Sequence, residues 1–157
     1  MKFPPNLDSV DLRILDALQT DAGLSSAELA ERVGSSSASC WRRIKNLEAA
    51  GILGPAVRLL NHEAIGRKVN VLCNIRVRSH MREVRAAFEA FVRERAEIME
   101  CYSMSGEWDY LIRVVAADVE DYERFLMRVL LEHPSVGGAS SHFALSLTKY
   151  TTRLPIS

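Results

Sequence analysis

Between residues 36 and 46 the sequence gathers hydroxyl, guanidinium, ammonium and amide groups: Ser36, Ser37, Ser39, Trp41, Arg42, Arg43, Lys45 and Asn46. Guanidinium forks fit guanine edges or phosphates, and hydroxyls with helical N–H groups fit phosphate oxygens, so the set suits a DNA major groove. Spacing adds to composition. Cys40, Ile44 and Leu47 stand at i, i+4 and i+7, so a helix over residues 37–50 turns them inward. Arg42, Arg43, Lys45 and Asn46 then fall on the outward arc, and the serines crowd the first turn. A charge run alone is more often a solvated face with intrahelical ion pairs. Trp41 fits either the edge of the core or a wedge against DNA sugar.

A second group, Ser103, Met104, Gly106, Glu107, Trp108, Asp109 and Tyr110, surrounds the turn Ser105-Gly106-Glu107-Trp108-Asp109. Gly106 frees the backbone to approach a ligand, and Asp109 offers a carboxylate to an amine. A plain hairpin turn uses the same residues, with Gly106 supplying an unusual dihedral and Asp109 capping the loop. Both readings stay open on the residues alone. Catalysis finds little material. His62, His80, His133 and His142 are scattered, no phosphate loop occurs, and Cys40, Cys73 and Cys101 have no metal-ligand spacing. The expectation is no enzyme, no cofactor and no metal, with each cysteine a small buried apolar residue.

The elements that must hold the first group are short helices. Asp8 with Asp11 reads as an N-cap, followed by Leu12, Leu15 and Leu18 on one stripe with Ile14 beside it, and Gly23 as the end. Ser25 with Glu28 has capping-box spacing. Leu29 and Val33 edge a second helix closed by Gly34, Ser36 caps the third, and Gly51 ends it. Only Gly34, Ser35 and Ser36 separate the last two helices, the turn length of a helix-turn-helix. In that motif the start of the second helix reaches base edges. Residues 52–60 look extended and serve as a wing or, the favoured reading, as a strand leading out of the domain.

Twenty Lys+Arg balance twenty Asp+Glu among 157 residues, so any affinity for nucleic acid rests on local arrangement. Residues 1–60 hold seven of each sign, whereas residues 61–80 hold Arg67, Lys68, Arg76 and Arg78 against Glu63. No apolar run is long enough to cross a bilayer. The start, Met1-Lys2-Phe3-Pro4-Pro5, lacks the apolar stretch of a signal peptide, so the cytoplasm is expected.

The second half alternates strand and helix patterns. Residues 69–77 read as a strand. Val84, Ala87, Phe88, Phe91 and Val92 make an amphipathic helix. Residues 98–104 and 110–116 are strands around the turn. Val119, Tyr122, Phe125, Leu126, Val129 and Leu130 make a second helix, stopped at His133-Pro134, and residues 136–147 supply a last strand. This βαββαβ order predicts a ferredoxin-like sheet with both helices on one face. The uncovered face calls for a partner, and self-association suits a reader of two-fold DNA sites.

Leu7-Asp8 through Asp11, Ile14-Leu15, residues 18–22, Glu28-Leu29-Ala30, Val33-Gly34, residues 36–44, Leu47-Glu48, Gly51 and Leu59-Leu60-Asn61 together resemble the N-terminal domain of the Lrp/AsnC (leucine-responsive, feast/famine) regulators. Ser37 and Ser39 stand where that family often has prolines. Glu100-Cys101-Tyr102, residues 105–111 and residues 136–141 resemble its C-terminal regulatory module. The resemblance implies an α+β chain. A winged-type helix-turn-helix spans residues 1–60, a connecting segment residues 61–68, and a ferredoxin-like, ACT-like effector and oligomerisation domain residues 69–157. It also implies that backbone groups near Gly106 receive an amino-acid carboxylate, that Asp109 faces the ammonium, and that Ser141 occupies the place of a threonine from a neighbouring chain. The implied partners are a pseudo-palindromic operator, an amino acid or similar effector, and copies of the chain forming a dimer, then a tetramer or octamer. An architectural DNA binder with little sequence choice is the alternative.

Overall fold

The computed structural model describes residues 7–156, so the opening pentapeptide read above lies outside the described residues. The described chain divides into two compact units, residues 7–59 with 148–156, and residues 60–147. Three helices form the first: α1 (Ser9–Thr20), α2 (Ser26–Val33) and α3 (Ser37–Ala49). Each begins where a side chain takes up orphan backbone N–H groups. Asp8 accepts from Val10 and Asp11, Ser25 from Glu28, and Ser36 from Ser39; the Asp8 and Ser25 caps are reciprocal boxes. Gly34 closes α2 at φ 65°, a left-handed turn that brings α3 in at once.

The core of this unit is Ile14, Leu15, Ala17, Leu29, Ala30, Val33, Cys40 and Leu47, with Ile44, Ile52 and Leu53 against it. Ile14 is its fully buried centre rather than a flank, and Leu12 lies outside it. Residues 54–60 form no strand, because nothing in the described chain pairs with them, and Val57, Leu59 and Leu60 stay exposed. That corrects the expected connecting strand. Residues 148–156, expected in the second domain, belong to the first unit: Ile156 packs on its core and Leu154 exchanges two hydrogen bonds with Gln19.

The second unit contains β1 (Val69–Val77), α4 (Arg82–Arg93), β2 (Ile98–Ser103), β3 (Tyr110–Ala116), α5 (Val119–Phe125) and β4 (Val136–Phe143). A π-helical turn, Leu126–Leu130, extends α5. Strand order is β2-β3-β1-β4, antiparallel throughout, which is the ferredoxin-like arrangement. Strand alternation turns Val71, Cys73, Ile75, Ile112 and Val114 toward Phe88, Phe91, Val92, Tyr122 and Phe125 in one core. β4 stops at Phe143, short of the expected Leu147, because β1 ends: Ala144 N–H to Asn70 O, 2.9 Å, is the last ladder bond. Ala87 of α4 is exposed rather than inward. The other sheet face carries exposed Leu72 and Tyr102 but also a polar group, with Arg113 on Glu100 at 2.8 Å and Tyr102 Oη donating to Glu100 at 3.0 Å.

Candidate nucleic-acid interface and ligand turn

Positioning of α3 starts in α2. After Gly34, the Ser35 N–H returns to Ala30 O at 3.0 Å, Ser36 caps, and Ser37 Oγ donates to Ser26 O at 3.3 Å, tying the first turns of α2 and α3 together. Cys40 and Leu47 are buried and Ile44 is half-buried, as the spacing requires. Ser36, Ser37, Trp41, Arg42, Lys45 and Asn46 are exposed, and Ser39 is half-buried. Trp41 is 61% exposed, which removes its core-edge reading. Lys45 contacts Glu48 at 2.7 Å, whereas Arg42 has no ion pair among the described residues.

Arg43 departs from the outward arc. Its Nη1 lies 2.7 Å from Asp8 Oδ2 and 2.7 Å from Asp11 Oδ1, and its side chain is 24% exposed. The Asp11 N–H, then the guanidinium, hold the Asp8 carboxyl below its ordinary value. Nothing local signals this contact, since Asp8 and Asp11 are already accounted for as caps.

In the second unit, the segment from Ser103 to Tyr110 makes the β2–β3 turn. Gly106 sits at φ 116°, a region that L side chains rarely adopt. The turn is pinned to β1: Met104 N–H reaches Asp109 O at 2.9 Å, Asp109 N–H reaches Ile75 O at 3.0 Å, and Val77 N–H donates to Asp109 Oδ2 at 2.9 Å. Asp109 Oδ1 faces the exposed His80 Nδ1 at 3.3 Å. Arg76 spans the turn, donating to Glu107 Oε1 at 3.0 Å with its guanidinium carbon 4.9 Å from the Trp108 ring centre. The N–H groups of Gly106, Glu107 and Trp108 have no protein acceptor among the described residues.

Two expected ligand residues point elsewhere. Tyr110 is 2% exposed and donates to Glu89 on α4 at 2.8 Å, beneath the sheet rather than at the turn. Ser141 pairs with Cys73 on β1, and its Oγ lies 2.6 Å from Tyr122 Oη on the helix-covered side. Arg76 and the Val77 amide, at the end of β1, and His80, in the loop just after it, are contributors that sequence reasoning missed, some thirty residues before the turn. A separate groove of about 390 Å³ is lined by Arg67, Glu97, Val114, Asp121, Arg124 and Phe125. It is the weaker candidate, because Asp121 and Glu120 already pair with its cations, Asp121 with Arg67 at 3.2 Å and with Arg124 at 3.1 Å, and Glu120 with Arg124 at 3.1 Å. Cys40 and Cys73 are buried and Cys101 half-buried. No helix among the described residues is long and apolar enough to cross a membrane.

Residues 7–53 match the family described as winged helix-turn-helix DNA-binding, and residues 70–154 that described as Lrp/AsnC ligand binding domain. The chain is 39% identical over 150 residues to the DNA-binding transcriptional activator DecR of Escherichia coli, covering 96% of this chain and 99% of that protein. The glutamate uptake regulatory protein of Zymomonas mobilis is 37% identical, over 96% and 91% of the two chains. Among solved structures, a Neisseria meningitidis transcriptional regulator in complex with L-Met superposes with a TM-score of 0.91 at 36% identity, covering 96% of this chain and 97% of that one. The chain therefore belongs to the Lrp/AsnC family of DNA-binding transcription regulators, which are not enzymes, and joins a winged helix-turn-helix to a ferredoxin-like ligand-binding domain.

Proposed function

We propose that α3 lies in the major groove of a pseudo-palindromic operator and that an amino acid bound at the β2–β3 turn modulates this contact. The observation carrying the first part is the exposed set Ser36, Ser37, Trp41, Arg42, Lys45 and Asn46 on a helix whose opposite side is sealed in the core. Ser39 lies on the same first turn. With Lys+Arg equal to Asp+Glu, one copy has little long-range attraction for phosphate, so paired copies supply the affinity. The same balance argues against a purely architectural binder. Exposed Leu72 and Tyr102 on the uncovered sheet face support pairing of copies into a homodimer; assembly of dimers to a tetramer or octamer, and action in the cytoplasm, complete the proposal.

The effector reading rests on the unpaired amides of Gly106, Glu107 and Trp108, which fit a carboxylate, with Asp109 Oδ1 toward the ammonium and Met104 and Trp108 beside the side chain. Ser103 and Tyr110 flank the turn, with the Tyr110 hydroxyl held by Glu89, whereas Ser141 is engaged with Tyr122 inside the subunit. The Neisseria relative was solved with L-Met, so methionine heads the test panel. A thermal-shift panel over the common amino acids tests the reading, since a ligand of the folded state raises apparent stability. At least one amino acid shifts the wild type. Asp109→Asn keeps an acceptor for the Val77 N–H and loses the shift. A wild type blind to every amino acid sinks the effector reading. For DNA, Arg42→Ala weakens operator binding by roughly 1–3 kcal/mol.

A further inference from the structure

Arg43 carries the charge of a DNA contact and the surroundings of a half-buried strut. Its Nη1 bridges Asp8 and Asp11, 2.7 Å from each, and these two carboxylates form the reciprocal cap that starts α1. Asp8 Oδ1 accepts from the N–H groups of Val10 and Asp11, Asp11 Oδ2 accepts from the Asp8 N–H, and the one remaining oxygen of each carboxylate goes to the guanidinium. Arg43 Nε is buried without a partner among the described residues, so the stem is packed and not extended into solvent. One cation against two anions leaves the cluster with a formal charge of −1. A phosphate reaches this guanidinium only by displacing carboxylates that also hold a helix end.

We infer that Arg43 is a positioning residue: it locks the angle of α3 against the capped start of α1, and Asp8 and Asp11 are parts of the DNA-reading apparatus although they repel DNA. The inference rests on the reading of α3 as the recognition helix, and it separates two neighbouring arginines that look alike in the sequence. Arg42 neutralises phosphate or reads a base. Arg43 aims Arg42.

Charge and geometry predict opposite signs for Asp11→Asn. If Arg43 touched phosphate, removing its competing anion would free it and tighten binding. If Arg43 sets the helix angle, removing the anion weakens binding even though the surface becomes less negative. The amide oxygen of Asn can still accept the Asp8 N–H, so the cap is kept.

The test uses the full chain and the tightest duplex that it selects from a random-sequence library, with affinity measured over a range of salt. We expect Arg42→Ala to weaken binding and lower the log–log salt slope by about one. Arg43→Gln and Asp11→Asn each weaken it roughly ten-fold with the slope unchanged, and the double variant loses no more than either single, as groups acting through each other should. Asp11→Glu keeps the charge and binds as wild type. Tighter binding by Asp11→Asn, or a slope reduced by about one in Arg43→Gln, overturns the positioning role while leaving the recognition helix intact. Unchanged binding in Arg42→Ala, Arg43→Gln and Asp11→Asn together overturns the recognition helix itself, and a wild type that selects no duplex overturns both. Should Asp11→Asn fail to fold, the salt slope of Arg43→Gln decides alone.

Discussion

Arg153 grips Asp16 through two nitrogens, Nε at 3.0 Å and Nη2 at 2.7 Å, across a sequence separation of 137 residues. One residue on, Leu154 exchanges its N–H and C=O with the Gln19 side-chain amide at 2.8 and 2.9 Å, and Ile156 completes the contact by packing on the first core. The tail therefore closes the first unit after the chain has built the whole of the second. The ion pair is half-exposed and contributes little by itself. The apolar contact matters more: Ile156→Ala costs about 1 kcal/mol of first-unit stability. Amide hydrogen exchange in α1 measures it. Truncation after Tyr150 should speed exchange there, whereas Arg153→Ala barely changes it; unchanged exchange after truncation would refute the docking.

Gly34 tests the turn between α2 and α3. A Cβ built on it meets nothing within 4 Å, so substitution brings no clash and only the dihedral penalty of φ 65°. Gly34→Ala should cost roughly 1–2 kcal/mol. Gly34→Asn should cost less, because Asn tolerates the left-handed region better. Urea midpoints of the two variants rank these outcomes, and equal loss in both would mean that space, not dihedral, limits the site.

How legible these features were depends on range. The caps at Asp8, Ser25 and Ser36 and the stop at Gly34 act within four residues, so spacing alone announced them. Strand β3 was readable to its ends because its burial alternates without interruption. Polar pairs between distant elements leave no periodic trace: Arg43 with Asp11, Asp109 with Val77, and Ser141 with Tyr122 are 32, 32 and 19 residues apart. Each residue had a sufficient local explanation, as an outward charge, a turn cap or a strand hydroxyl, and the structure supplies a second partner. The missing strand over residues 54–60 has the same origin. Sequence shows the propensity to extend, but a ladder needs another strand to pair with.

The Tyr122–Ser141 contact joins α5 to β4 inside the second core. Burial holds the Tyr122 hydroxyl well above its usual ionisation range, so it stays a neutral donor or acceptor. Tyr122→Phe deletes one partner and leaves Ser141 Oγ with only the weak Cys73 thiol contact at 3.7 Å. A loss of about 1–2 kcal/mol is expected. Adding Ser141→Ala to Tyr122→Phe should then restore part of it, since two apolar groups leave no orphan. Chemical denaturation of the two single variants and the double closes the cycle; strict additivity would show that the hydroxyls do not act as a pair.

Acid should destabilise the chain in two steps. Burial lowers His133 from 6.5, followed by the field of Arg95, and Nδ1 accepts from Ser135 N–H at 3.3 Å. The neutral ring is thus favoured in the folded state. As pH falls through 6.5 the unfolded chain takes up this proton first, so stability drops from there downward. The second step lies lower. Asp8 is held below 3.8 by the Asp11 N–H and then Arg43, Glu28 below 4.5 by the Ser25 hydroxyl and N–H, and Asp16 below 3.8 by Arg153. Their contribution is complete above the unfolded values and is lost as pH falls through the depressed ones. Urea midpoints at constant ionic strength should therefore begin to fall as pH drops through about 6.5, and fall again below about pH 4.5. His133→Asn, which keeps an acceptor for the Ser135 N–H, should flatten the upper step and leave the lower one. A midpoint that is constant from pH 7 to 5 in the wild type would show that His133 protonates equally in both states.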